Sequence, residues 1–494
     1  MTRYISWTAG KGVSPVSRPF SHFRKEGTGL MKGNVTGCLA GLLGALLLLV
    51  QTPAQAAVTN MRVSTSPTKV RVVLDLDAPV QYKETVDGTG IRLDLDTKAA
   101  KKFVQKPKDP AVRQIEMTPQ GRSASRLQVT LAKEGQHRVL LLKNPDRLVL
   151  DLYRIQIIRQ TKDLGNGLQY TYWQDDMDGK AVRLYALTLA PGSGYYVKPF
   201  SAALDHNGRG RLAQAASATG ARAAVNACYF DTDGWVIGNC KWEDTFFGGD
   251  DTPRSALARD KEGRYSVLQD LSYRGTVKLP GAVELPITGV NRQRLAQDLI
   301  VFNGQYGRST GTNEFGREVK VKDGRVTAVS TKGNMSLDAD SLVLSGHGAN
   351  ADALAKVRVG DPLEIEQTLG SHTADLMQMV VGAGPSLVEN GSINVRSAQE
   401  QMAGDIANGR APRTGAGVKA DGSLLLMVVD GRSQYSAGMT LKEFAWYLRR
   451  FGAVQAVNFD GGGSSEMVVD GQVKNRPSDG AERPVSIALG VFRQ

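Results

Sequence analysis

The regular patterns in this chain are short and have a period of two. "KVRVVLDL" (69–76), "GIRLDL" (90–95), "RLQVTL" (126–131) and "RLVLDLY" (147–153) alternate apolar and polar residues, and Asp, Gly or Pro separates them. Alternation places the apolar residues on one face of a strand, so each segment needs a second sheet to cover that face. The 55 glycines suit tight turns between strands better than long helices. At 494 residues the chain exceeds one ordinary domain. The expected fold is multidomain: an all-β sandwich over 57–155, then an α+β domain over 165–494 with a mixed sheet. Residues 285–370 are expected to form a β-rich insertion within it.

Residues 1–56 read as an upstream extension and a leader. From Met31 a short basic start at Lys32 precedes an apolar run over 39–50 and the small-residue pattern Ala54-Gln55-Ala56. That order describes a secretory signal peptide, with Met31 as start and cleavage near Ala56, and the run is short for a membrane span. An uncleaved anchor is the competing reading. Without the leader's six basic residues and one acidic residue, the chain carries 55 basic against 48 acidic residues, a net +7. A mildly basic exported protein, periplasmic or secreted, suits anionic envelope polymers. The basic residues are scattered and no zinc pattern or basic helix occurs, which argues against nucleic acid. In an oxidising compartment Cys228 and Cys240 are expected to close a disulfide around a turn; two buried free thiols are the alternative.

Two helices stand out within the second part. "RLAQAASATGA" ends at Gly220, and "TLKEFAWYLRRFGA" carries a Thr440–Glu443 capping box and ends at Gly452. The second helix lies between two apolar strands, "SLLLMVVDGR" (423–432) and "AVQAVNFDGGG" (453–463). If these form a βαβ unit, Asp430 and Asp460 end parallel strands on one rim, where open sheets place ligands. Two rim carboxylates suit acid/base work on a sugar. Gly461, Gly462 and Gly463 leave room for substrate, and their N–H groups suit phosphate oxygens. Each Asp also precedes a Gly, so a turn role competes. Loop arginines, among them Arg413 and Arg432, suit phosphate. "DTDG" (231–234) is a weak calcium pattern. No G-x-S-x-G, H-E-x-x-H or Walker motif occurs. No cofactor is expected, and a divalent metal stays open.

The blocks "AVNACYF", "GAGPSLVENG", "PRTGAG", "VVDGRSQYSAGMTLKEFAWYL" and "NFDGGGSSEMVVDGQVKNRPSDGAERPVSIALGVF" together resemble the phosphodiester glycosidase family, the N-acetylglucosamine-1-phosphodiester α-N-acetylglucosaminidase-like domains. The resemblance spans roughly 170–494. It implies hydrolysis between a sugar's anomeric carbon and a phosphodiester oxygen, with motif residues Asn226, Arg413, Asp430, Asp460, Gly461 to Gly463, Ser464 and Asp479. Asp460 and Asp430 are the expected catalytic pair, and the remaining motif residues with Arg432 the expected binding set. Two positions depart from the family pattern: Glu466 replaces a small hydroxyl residue, and Gly415 replaces Ala. The repeated "RxxLDL" at Arg71–Leu76 and Arg147–Leu152 resembles the AMIN domain of envelope proteins, which implies peptidoglycan targeting. The function expected is an exported glycosidase acting on sugar-1-phosphodiesters of envelope or extracellular glycans. A non-catalytic glycan- or peptidoglycan-binding protein is the rival.

Overall fold

The computed structural model describes residues 55–98, 100–204 and 208–494. The expected leader, including Cys38, therefore lies outside the described residues except at its last two positions. The alternating segments do form strands. A four-stranded sheet in the order 58–65, 69–76, 147–153, 137–142 faces a five-stranded one in the order 82–87, 90–95, 125–131, 112–119, 103–105. Val70, Val72 and Leu74 of one sheet pack with Ile91, Leu93, Leu127 and Val129 of the other. The repeated "RxxLDL" is complementary to itself. Antiparallel register sets Arg71 opposite Asp151 and Asp75 opposite Arg147. Arg71 grips Asp151 with two hydrogen bonds, of 2.6 and 2.7 Å.

The second part is layered helix–sheet–sheet–helix. Its larger sheet runs 158–165, 168–177, 180–189, 424–429, 413–419, 453–458, 386–389, 392–393. Its smaller sheet runs 195–201, 487–493, 223–226, 467–469, 472–473. Successive residues of one strand serve different cores. Leu424, Leu426 and Val428 face the smaller sheet, while Leu425, Met427 and Val429 face the Leu441–Arg450 helix. The Leu212–Thr219 helix covers the outer face of the smaller sheet through Leu212, Ala215 and Ala216. Both expected helix ends are present: the Thr440–Glu443 capping box, and Gly220 at φ 72°. A further β-rich core draws residues from Phe246 to Val380.

The expected βαβ unit takes a different form. Both sheets described above are antiparallel throughout, and among the described residues the parallel ladder is the short 289–290 with 300–301 pairing. Strands 424–429 and 453–458 do run in the same direction, but strand 413–419 lies between them, antiparallel to each. The helix therefore crosses over an intervening strand. Gly415 explains itself here. A Cβ at that position would lie 2.7 Å from the Val457 carbonyl oxygen and 2.8 Å from Cε1 of Phe444. Gly415→Ala is expected to lower stability by about 1–3 kcal/mol through overpacking, read as an earlier denaturation midpoint.

Candidate active site

Strand 413–419 begins where its two neighbours end, because Arg413 sits opposite Val429 and Gly415 opposite Asn458. Asp430 and Asp460 thus flank Pro412–Arg413 on one rim, their backbones about 10 Å apart from twice the interstrand spacing. The Asp460 backbone is tied from three sides. Its N–H donates to the Ala227 carbonyl at 2.8 Å, the preceding Phe459 N–H donates to the Thr414 carbonyl at 2.8 Å, and its own carbonyl accepts from Asn226 Nδ2 at 2.6 Å. Asn226 is a hub. Its Oδ1 accepts from the Thr414 hydroxyl at 2.7 Å and from the Glu466 N–H at 3.0 Å. One buried amide therefore joins both sheets at the carboxylate. Burial pushes the Asp460 carboxyl up to about 6, against the opposing pull of the Ser464 hydroxyl, the Gly461 N–H and the Arg483 charge.

The three glycines admit protein side chains as well as backbone. A Cβ on Gly461 would meet the Pro412 carbonyl at 2.9 Å, and one on Gly462, at φ 60°, would meet Arg432 Nη2 at 3.2 Å. At Gly463 it would overlap the Asp479–Arg483 ion pair, 2.1 Å from Arg483 Nη2 and 2.3 Å from Asp479 Oδ2. The loop N–H groups are mostly spent internally. Gly461 serves Asp460, Gly462 donates to Pro412, and Ser464 donates to Gly461, which leaves Gly463 without a hydrogen-bond partner among the described residues.

The other rim carboxylate is engaged differently. Asp430 is 3% exposed and accepts from Tyr185 OH at 3.0 Å, the Arg476 N–H at 2.9 Å and Asn475 Nδ2 at 3.3 Å. Burial raises its pKa, and these donors oppose the rise. Arg413 lies beneath the rim. Its guanidinium, 2% exposed as a residue, donates to the carbonyls of Met439, Ile406 and Gly409 at 2.9, 3.1 and 3.2 Å. Burial lowers its pKa, against the weaker opposing pull of Tyr229 and the Glu443 carboxylate. Arg432 is exposed, at φ 56°, with its guanidinium against Gly462.

Residues 315–492 match the phosphodiester glycosidase family. The matched stretch takes in both rim carboxylates and the glycine turn. The chain is 40% identical over 96 residues to the SPbeta prophage-derived uncharacterized protein YomE of Bacillus subtilis, covering 19% of this chain and 15% of that protein. It is 29% identical over 173 residues to the mouse N-acetylglucosamine-1-phosphodiester alpha-N-acetylglucosaminidase, covering 32% of this chain and 30% of that one. The match thus spans less than a third of either relative. Among solved structures, a hypothetical protein from Synechocystis has a TM-score of 0.61 at 21% identity, over 90% of this chain and 81% of that one, which is a likeness of fold.

Within the matched stretch, Glu466 faces away from the rim. It is 2% exposed and paired with the Glu482 carboxyl, whose Oε1 accepts from the Ala213 N–H at the start of the Leu212–Thr219 helix. Burial, and then the second carboxyl, push Glu466 up to about 9. A raised carboxyl stabilises the fold fully below its unfolded value, and that contribution is lost as pH rises through the folded value. Wild-type stability should therefore fall from about pH 5 to 9 relative to Glu466→Gln, which keeps a hydrogen-bonding group but does not titrate. Thermal midpoints of both proteins across that range check this.

The expected disulfide is not formed. Cys228 and Cys240 are brought together as buried free thiols, hydrogen-bonded side chain to side chain, and burial raises the Cys240 pKa well above the usual thiol value. The Asp231 carboxylate of "DTDG" caps its own turn, accepting from the N–H groups of Asp233 and Trp235. Sequence reasoning did not single out Thr414 or Asn475, although both lie inside quoted motifs. It also missed Tyr185, which reaches Asp430 from a strand 245 residues earlier with no local signal.

Proposed function

We propose that the protein is an exported hydrolase that cleaves sugar-1-phosphodiesters of envelope or extracellular glycans, with Asp460 as its catalytic residue. The observation that carries this reading is Asp460 itself. It is a carboxylate poised near neutrality, fixed by Asn226, on a glycine turn beside Arg432, whose guanidinium has no carboxylate within salt-bridge distance among the described residues. A phosphate ester already leaves readily, so the step that needs help is attack at the anomeric carbon. Asp460 acts there in its ionised form. The bond from C1 to the phosphate oxygen breaks, water gives its oxygen to C1 and its proton to Asp460, and a phosphomonoester departs. Arg432 and the Gly463 N–H hold the phosphate oxygens. Asp430 holds the Asn475 side chain and the Arg476 backbone N–H across the rim, so the expected pair of acting carboxylates reduces to one that reacts and one that positions.

Support for export comes from the apolar leader at 39–50, and support for envelope targeting from the self-complementary "RxxLDL" sandwich. Incubating the purified protein with aryl-phospho-GlcNAc should release free sugar. Binding without release over long incubation would favour the glycan-binding alternative.

A further inference from the structure

We propose that Arg183, Tyr435 and Arg476 form a second anion subsite beside the reacting phosphodiester, selecting substrates that carry a further phosphate group. The inference rests on the hydrolase reading above and adds the charge of the substrate to it. Tyr435 is 42% exposed on the loop after strand 424–429. Two guanidiniums lie on its ring, with Cζ of Arg183 at 5.0 Å and Cζ of Arg476 at 5.1 Å from the centroid. Each contact is favourable singly, but holding two like charges at one ring is costly unless an anion shares them.

Neither guanidinium has a carboxylate within salt-bridge distance among the described residues. Arg183 spends its Nε on Gln174 Oε1 at 2.8 Å. The Arg476 guanidinium has no hydrogen-bond acceptor among the described residues; only its backbone N–H is used, on Asp430. Asp430 is the nearby negative charge, and its oxygens are already occupied by Tyr185, Asn475 and that N–H.

The subsite is held in place before any ligand arrives. Ser433 and Ser436 exchange backbone hydrogen bonds of 3.2 and 3.3 Å across the loop that presents Tyr435. The Ser436 hydroxyl donates to the Asp430 carbonyl at 2.6 Å and accepts from the Arg183 N–H at 3.1 Å. Arg432, three residues before Tyr435, connects this loop to the glycine turn. Two planar guanidiniums suit the oxygens of a phosphate. That second phosphate can come from the next repeat of a sugar-phosphate chain or from the distal half of a sugar diphosphate ester.

The test compares kcat/KM for three substrates: a methyl sugar-1-phosphodiester, a two-repeat sugar-phosphate oligomer and a sugar diphosphate ester. Wild type should prefer at least one doubly phosphorylated substrate, and which one identifies the source. Arg476→Gln and Arg183→Gln should each reduce that preference roughly tenfold, the loss of a charge-assisted contact. Arg476→Lys should restore part of it, and added salt should erode it in wild type. Equal loss on all three substrates would assign these arginines a purely structural role and overturn the proposal, as would a wild type with no preference. If wild type cleaves none of them, the hydrolase reading fails by itself, and equilibrium binding decides the subsite. Tighter binding of a doubly phosphorylated compound, lost in Arg476→Gln, supports it; equal binding overturns it.

Discussion

Asp460→Asn lowers sugar release from a sugar-1-phosphodiester by roughly 10²–10⁴-fold, the range for a positioned proton-transfer group. Two further results accompany that loss if the carboxylate is the reacting group. The wild-type rate should rise with pH through about 6 and level off above it, since the ionised form acts and its carboxyl titrates at about 6. Stability should move the other way. A carboxyl raised above its unfolded value holds its proton more tightly in the folded state, so the fold loses stability as pH rises through that value. At pH 8 the Asn variant should therefore be the more stable protein, by on the order of 1 kcal/mol once the partial exposure of Asp460 is allowed for. Activity assays and urea midpoints at pH 5 and pH 8 read all three. An inactive but stabilised variant is the signature of a strained site, whereas an inactive and destabilised one would indicate a structural carboxylate.

Asn226→Ala carries the second large effect. The amide makes three hydrogen bonds, to the Asp460 carbonyl, the Thr414 hydroxyl and the Glu466 N–H, and the residue is 1% exposed. Truncation leaves those groups buried and unpaired, which costs about 2–4 kcal/mol. It also frees the Asp460 backbone on the side of the smaller sheet. Small displacements of a reacting group cost about 10²-fold, so kcat should fall by roughly 10–100-fold with a smaller change in KM. Denaturant unfolding and steady-state kinetics measure the two losses separately. A variant destabilised but with unchanged kcat would show that Asn226 supports the fold alone.

Local features of this protein were readable from sequence because they are set by neighbours in the chain. The alternating strands, the Thr440–Glu443 capping box and the positive-φ Gly220 all follow from residues within a turn or two of each other. So did the placement of Asp460 at a strand end. Strand order was not readable in the same way. Nothing in the 424–458 segment says that strand 413–419 inserts between its two strands, and that insertion sets the separation of the two carboxylates. The roles of Asp430 and Arg413 depend on partners distant in sequence or on backbone carbonyls, which carry no residue signature. Tyr185 illustrates the first case, and the Met439, Ile406 and Gly409 carbonyls the second. Glu466 was conspicuous in the motif, yet its partner Glu482 shows that it faces the helix-covered side of the smaller sheet.

In this mechanism water attacks the sugar carbon and not phosphorus. Hydrolysis of a sugar-1-phosphodiester in ¹⁸O-labelled water tests it directly, with mass spectrometry of both products. The label should appear in the sugar hydroxyl with an unlabelled phosphomonoester, and both products should fall roughly 10²–10⁴-fold in Asp460→Asn. Label in the phosphate would make the protein a phosphodiesterase and overturn attack at C1, as would complete absence of release by the wild type.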